Sequence, residues 1–357
     1  MLDFIPLNIY IPIYLCFLFL SLASVSLIIC QHNNTNTMSL KSVRIVGACF
    51  VLFFMIYIGF RPLSGRYFVD MITYAHLFET VENGGDIASI EPAFFAYMKF
   101  LSSFTSLDGF FFITCFIYTF CVFLACRRFF DKSWAVPFFF IVLSAFFFSY
   151  ATNGMRNGLA TSIFLLGLSQ KRWGKWGLIL LSITIHSSLA LPATATLFFK
   201  FYKRVPSYLF GWLFCLLVSA AIPSIGPWLS SLGVFNDKFN DYALASSYSE
   251  ASGKIGFRVD FLAFSILPIL LAYYFIFKRR FYDPLYNEIV CIYLTANAFW
   301  LLVIRVPFSN RFAYLSWFLY GLVISYPLVK RVFIKRQNQV VALLLITLFL
   351  FHFTFLY

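Results

Sequence analysis

Arg156 and His186 are the residues whose placement most invites chemistry. Arg156 opens the apolar run R-N-G-L-A-T-S-I-F-L-L-G (156–167). Lys171, Arg172 and Lys175 close it with a basic turn, and His186 sits deep in the next apolar run. An ionisable group inside a membrane segment is costly to bury, so it reads as functional by default. Arg156, Arg305 and Arg311 each fall at the edge of an apolar run, and Arg156 and Arg311 also begin predicted helices. The positive end of the helix dipole disfavours a cation there. A bound anion relieves that conflict, because helix N-terminal N–H groups and guanidinium both favour phosphate. Snorkelling to the headgroups accounts for any one of the three; for the set, anion binding is the better account.

His186 has Thr184, Ser187 and Ser188 as polar neighbours. It suits an interhelical hydrogen bond, or work as a general base or substrate ligand, since imidazole titrates near neutrality. Asp70 and Glu91 each precede an amphipathic stretch. Both fit helix capping, as an Asp N-cap and as an acid before Pro92 at the first helical position. Both equally fit a carboxylate that takes a proton or binds sugar hydroxyls. Glu79, Glu82 and Asp86 read as a solvated face, and His32, His76 and His352 carry no further signal. The outer loops hold no DxD pair, and the chain has no HExxH, GxSxG or phosphate-binding glycine loop. Chemistry on the outer face is therefore expected to run without ATP, metal or cofactor.

The elements that position these residues are membrane helices. The chain is 61% hydrophobic and 11% charged, with a mean hydropathy of +0.85; a soluble fold of that balance would expose far too much apolar surface. Apolar runs of about 20 residues point to helices, not a barrel. The eight cysteines lie in or beside these runs without CxxC spacing, which argues against disulfides and metal sites. Asp3 and the lack of a basic leader make the first run a true span. Full spans are expected near 8–30, 45–60, 108–126, 134–151, 156–170, 206–225, 257–277, 287–304, 311–329 and 339–357. The fold class is an all-α polytopic membrane protein, a single membrane domain over residues 1–357 with about ten full spans.

The run 176–200 decides the topology. As one crossing it would put every later basic loop outside, against the positive-inside rule. A hairpin broken between His186 and Pro192 enters and leaves by one face instead. Charge then sorts cleanly: the cytoplasmic side takes 18 of the 27 basic residues and three of the 14 acidic ones. The net charge of +13 thus reports sidedness, not affinity for nucleic acid. Both termini face outward in this arrangement. Two long outer loops follow, about 61–106 and 226–256. The first carries amphipathic patterns over Asp70–Glu82 and Pro92–Phe104, expected as helices on the interface. The second is polar and Ser-rich.

These residues resemble the EpsG/Wzy family of polysaccharide polymerases. The resemblance is carried by F-R-P-L-S-G-R-Y-F-V-D-M-I-T-Y-A-H-L-F (60–78), E-P-A-F-F-A-Y-M-K-F (91–100), the 156–167 run, H-S-S-L-A-L (186–191) and R-F-A-Y-L (311–315). It spans about residues 55–330. Arg61, Asp70, Tyr74, Glu91, Arg156 and His186 fall on the family's polar motif positions, and Arg311 on its late arginine. Asn157 stands where the family commonly has Gln, and Gly65 lies five residues before Asp70 where the family often has a Gly directly before it. The resemblance implies an enzyme of the bacterial cytoplasmic membrane, with its site facing outward. It would join oligosaccharide repeat units carried on undecaprenyl diphosphate, for O-antigen, capsule or exopolysaccharide, and a chain-length regulator is a conceivable partner. Under it, Arg156, Arg305 and Arg311 take the diphosphate. His186 or Glu91 is the base, with Asp70 as a third candidate, and Arg61, Tyr74 and Asn157 line the sugar site.

Two other classes compete. A flippase for lipid-linked oligosaccharides would also bind diphosphate through arginines, but it should show a two-fold repeat, and none is visible. A membrane O-acyltransferase that decorates a surface polysaccharide would carry an Arg and a His in its first spans, which are missing here. The related O-antigen ligases share the donor chemistry and differ in the acceptor.

Overall fold

The structure is a computed structural model that describes residues 1–31, 37–87, 91–144, 146–222, 256–306 and 309–356. Among these residues all regular structure is helical. Seven helices are long and apolar enough to cross a membrane: Leu7–Gln31, Lys41–Gly59, Leu107–Ser133, Val259–Lys278, Pro284–Leu302, Asn310–Lys330 and Gln337–Thr354. The chain is a multi-pass membrane protein. Its described residues gather into two compact units, Met1–Leu189 with Leu328–Tyr357, and Ala190–Pro327.

In the first unit, α1 (Leu7–Gln31) lies against α2 (Lys41–Gly59). Buried Tyr10 and Tyr57 lock the pair. Their rings stack at 4.2 Å, Tyr57 hydroxyl donates to the Tyr10 carbonyl at 2.9 Å, and Tyr10 hydroxyl donates back to the Tyr57 carbonyl. Such reciprocal bonds satisfy both phenols within hydrocarbon, where water cannot. Two short helices follow, α3 (Val69–Glu82) and α4 (Pro92–Ser102), where the amphipathic patterns place them. The long α5 (Leu107–Phe130) packs on α2.

The apolar run 134–151 is not one helix. It divides into α6 (Ala135–Val142) and α7 (Phe147–Thr152). All eight residues of α6 are buried. Continuous hydropathy looks alike whether a segment faces lipid or protein, so the sequence hides the break. The run 156–170 becomes α8 (Met155–Leu168), 14 residues long. At 1.5 Å per residue that is about 21 Å, short of a hydrocarbon core of about 30 Å. A tight turn leads to α9 (Arg172–Ile185), also 14 residues, which packs back along α8. The helical path then breaks at His186, as the sequence predicts, through a 3₁₀ turn over Ser187–Leu189.

The second unit opens with α10 (Ala190–Phe201) and α11 (Val205–Ala221). It continues with α12 (Val259–Tyr273), α13 (Pro284–Leu302) and α14 (Asn310–Trp317). Asp283 caps α13, accepting from the N–H groups of Leu285 and Tyr286 at 2.9 and 3.0 Å, with Pro284 in the first turn. A buried hub centres on Asn297. Trp212 Nε1 donates to its Oδ1 at 2.8 Å, and its Nδ2 donates to Ser265 Oγ at 3.2 Å and Ser316 Oγ at 3.0 Å. Trp317 Nε1 adds a 2.7 Å bond to Ser265. One amide thereby pins α11, α12 and α14 to α13. The last helices are α15 (Tyr320–Lys330) and α16 (Gln337–Leu356). In the first unit α16 returns to α1, with Tyr14 hydroxyl 3.4 Å from His352 Nε2, both side chains fully buried. The Ser-rich outer loop expected over 226–256 lies, save for Gly256, outside the described residues.

Candidate functional site

The first unit assembles its ionisable side chains at one end of the α8–α9 hairpin. Arg156 sits in the first turn of α8, His186 follows the last residue of α9, and Glu91 directly precedes α4. Their approach depends on a tight joint between α7 and α8. A Cβ on Gly158 would stand 2.6 Å from the Tyr150 carbonyl oxygen, so only glycine allows α8 to start so close to α7.

Glu91 is the hub. Its Oε2 lies 2.7 Å from Arg156 Nη1; the contact is oblique, so charge holds it more than a straight hydrogen bond. Its Oε1 accepts from Ser187 N–H and Ser187 Oγ, each at 3.3 Å, and stands 3.8 Å from His186 Nδ1. The capping alternative thus resolves for this residue. Glu91 occupies the N-cap position before Pro92 but makes no side-chain capping bond to its own helix. Burial alone would raise its carboxyl. The Arg156 guanidinium, His186 when protonated, and the N–H groups of Glu91 and Ser187 outweigh burial and hold it below the usual glutamate range. The three side chains are each about one-fifth exposed, so the cluster is sheltered yet reachable.

Around this core the structure sorts the remaining candidates. Tyr74 presents its hydroxyl to the Arg156 N–H at 3.4 Å, meeting a donor at the start of α8. Arg61 lies behind the site, fully buried. Its Nη1 donates to the Ile58 carbonyl at 2.9 Å and its Nη2 to the Thr152 carbonyl at 3.0 Å, with Met155 Sδ at 3.2 Å. The rings of Phe68 and Phe111 flank it at 5.7 and 5.1 Å. Expected at the sugar, Arg61 instead clamps the α7–α8 joint to the end of α2. Asp70 does not cap α3; Phe68 holds the N-cap and Asp70 sits exposed in the first turn, one turn before Tyr74. Asn157 follows Arg156 with its Oδ1 buried and without a hydrogen-bond partner, and Asn153 shows the same in the α7–α8 joint. Such oxygens are natural acceptors for a hydroxyl-rich ligand.

A sequence model described as EpsG family matches residues 44–357. The chain belongs to the EpsG family. That family comprises Wzy-like polysaccharide polymerases. No curated protein and no solved structure matches the chain.

In this EpsG-family chain the other two expected arginines belong to the second unit and flank its α13–α14 joint. Arg305 follows α13 with its guanidinium 5.2 Å from the Phe257 ring and its Nε buried without a hydrogen bond. Arg311 is the second residue of α14 and is exposed. Among the described residues no three His, Cys, Asp or Glu side chains converge as metal ligands, and all eight cysteines are free. Asn153 and the Asn297 hub escaped the sequence reading. Asn297 carried the same signal as His186, a polar side chain within an apolar helix, but no charge to single it out.

Proposed function

We propose that this EpsG-family protein polymerises oligosaccharide repeat units carried on undecaprenyl diphosphate, at the outer face of the bacterial cytoplasmic membrane. The broken hairpin and outward termini are the arrangement that the charge distribution of the sequence favours. One observation supports the reading above the others: Glu91, Arg156 and His186 meet at a sheltered hairpin end in a chain of a polymerase family.

The reaction has simple needs. A sugar hydroxyl on one lipid-linked repeat attacks the anomeric carbon of another. The carbon–oxygen bond to the diphosphate breaks, and undecaprenyl diphosphate leaves with the electron pair. The hydroxyl proton passes to a base. No nucleotide is consumed. Cations must meet the charge growing on the leaving group, and preorganised donors at such a position contribute on the order of 3–4 kcal/mol each to the barrier. Arg156 takes this part, its guanidinium oriented by Glu91 with further N–H donors to offer; Arg305 and Arg311, which the sequence suggests for the same charge, belong to the second unit. Glu91 and His186 are the groups placed to receive the proton. Asp70, Tyr74 and Asn157 face the sugars, and Arg61 holds the joint on which Arg156 stands. A chain-length regulator is the partner such a product calls for.

The deciding experiment compares surface glycan from a strain lacking the chain with that from the complemented strain. Loss of the ladder with a single repeat unit retained supports polymerisation. Glycan absent altogether indicates a flippase, and an intact ladder with altered decoration indicates an acyltransferase.

A further inference from the structure

The break at the end of α9 releases a main-chain donor, and that donor goes to Glu91. The N–H groups of residues 186–189 each have an acceptor. His186 N–H closes the last turn of α9 on the Ser182 carbonyl at 3.0 Å, and Leu189 N–H closes the 3₁₀ turn on the His186 carbonyl at 3.1 Å. Ser188 N–H faces His186 Nδ1 at 3.4 Å. In an unbroken helix Ser187 N–H would bond to the Ile183 carbonyl. Because His186 is extended (φ −146°, ψ 108°), that N–H turns instead to Glu91 Oε1 at 3.3 Å, and the Ser187 hydroxyl joins it at 3.3 Å.

Two donors fill the two lone pairs of Oε1. The second oxygen is closed off differently. Oε2 is enclosed, with Arg156 Nη1 standing 2.7 Å away. A base must come within about 2.6–3.2 Å of the proton it takes. Oε2 offers no surface for that approach, and Oε1 offers no spare lone pair. Proton affinity points the same way. Burial raises the Glu91 carboxyl, but Arg156, His186 when protonated, and the N–H groups of Glu91 and Ser187 outweigh it and hold it below the usual glutamate range. From α3 the titratable neighbour is Tyr74, whose phenol burial pushes up, so it adds no charge. A carboxylate held in this way is a weak base and a steady anion.

From this geometry, and resting on the polymerase reading above, we infer that Glu91 is a positioning residue and not the base. Its carboxylate fastens the broken end of the hairpin to the head of α4 and holds the Arg156 guanidinium in one pose for the diphosphate. Ser187 is the donor that keeps the carboxylate turned that way. The transfer runs as written above, with Glu91 neither gaining nor losing a proton. The helix break then has a use of its own. A continuous helix would keep the Ser187 N–H for itself and leave Oε1 without its main-chain donor.

Glutamine separates the two roles, because an amide keeps the shape and an acceptor oxygen but takes no proton. The assay uses the full-length chain in membranes of the deletion strain, with the polyprenyl-diphosphate-linked repeat unit as substrate. Glu91→Gln is expected to keep kcat within about tenfold of the unsubstituted chain, whereas loss of a general base costs about 10²–10⁴-fold. Glu91→Ala is expected to fall by about 100-fold or more, alongside Arg156→Ala. Ser187→Ala should lower kcat by a few-fold, and Ser187→Thr, which keeps both donors, should restore it. Glu91→Gln as inactive as Glu91→Ala, at equal membrane abundance, overturns the proposal. Should Glu91→Gln fail to accumulate, the pH profile of Ser187→Ala carries the test. A profile that matches the unsubstituted chain across about pH 5–8 is expected. An acid limb moved to higher pH overturns the proposal, since the Glu91 proton would then govern turnover. Failure of the polymerase reading looks different, because the unsubstituted chain would then make no polymer from this substrate.

Discussion

Glu91 Oε2 stands 2.7 Å from Arg156 Nη1, joining the start of α4 to the start of α8 across 65 residues of chain. Each partner forgoes something local to make that contact. Glu91 sits where a carboxylate would cap α4, a contribution of about 1 kcal/mol, and turns away. Arg156 brings a cation to the positive end of a helix. The pair partly settles both debts, and it holds the guanidinium still.

Arg156→Lys keeps the charge and loses the planar fork. Polymer output should fall by about 10²–10³-fold with unchanged protein abundance, as expected for losing one preorganised anion contact. Radiolabelled repeat-unit incorporation measures it, and full-length polymer from the lysine variant would refute the role. Arg156→Ala should lower output at least as far, and Glu91→Gln should lower it without releasing product of abnormal length.

Acid should reach Glu91 late. Its folded-state carboxyl is held below the free value of 4.5, so the stability it lends is complete above that value. This contribution is lost only as pH falls through the lower folded value. Between pH 7 and 5, the thermal stability difference between the unsubstituted chain and Glu91→Gln should therefore stay constant, and then shrink below about 4.5. A difference that already shrinks near pH 6 would show that the carboxylate is not paired as described.

Arg61→Met keeps the bulk but strands the Thr152 carbonyl. An unsatisfied buried group costs about 1–3 kcal/mol, enough to lower the melting temperature visibly in detergent. Output should fall as well, because the joint carrying Arg156 loosens. Arg156→Ala should lower output with little change in melting temperature. That contrast separates the clamp behind the site from the group within it.

Asn297→Leu should destabilise by a comparable about 1–3 kcal/mol, since Trp212 Nε1–H and two serine hydroxyls lose their partner together. Asn297→Asp preserves the acceptor for Trp212 but removes the donors to Ser265 and Ser316, and should fall between. Thermal unfolding of the purified variants ranks them.

The sequence showed polar residues wherever an apolar background made them conspicuous. Arg156 and His186 were visible for that reason, Glu91 because it precedes Pro92 at the head of an amphipathic stretch, and the break after α9 because the charge balance demanded it. Contacts between distant segments were not visible. Nothing in the sequence links Glu91 to Arg156, or directs Arg61 to the Thr152 carbonyl rather than to solvent. Asp70 looked like an N-cap because its residue type favours that position, but the backbone turns into α3 two residues earlier. The division between α6 and α7 was hidden by phenylalanines that fill buried and lipid-facing positions equally well.

The 14-residue lengths of α8 and α9 set a depth as well as a shape. Under the proposed topology, with the basic turn of their hairpin at the cytoplasmic interface, about 21 Å of helix would carry Arg156 and His186 to a level roughly 9 Å inside the opposite edge of the hydrocarbon core. A diphosphate that meets them must sink out of the row of its fellow headgroups, drawing its first sugars down with it. Ordinary phospholipids, tethered at the surface by their glycerol backbones, are held back from that depth. A polyprenyl chain has no such tether. On the proposed reading, the hairpin's shortness would serve as a gauge that admits the lipid carrier and turns the bulk membrane away.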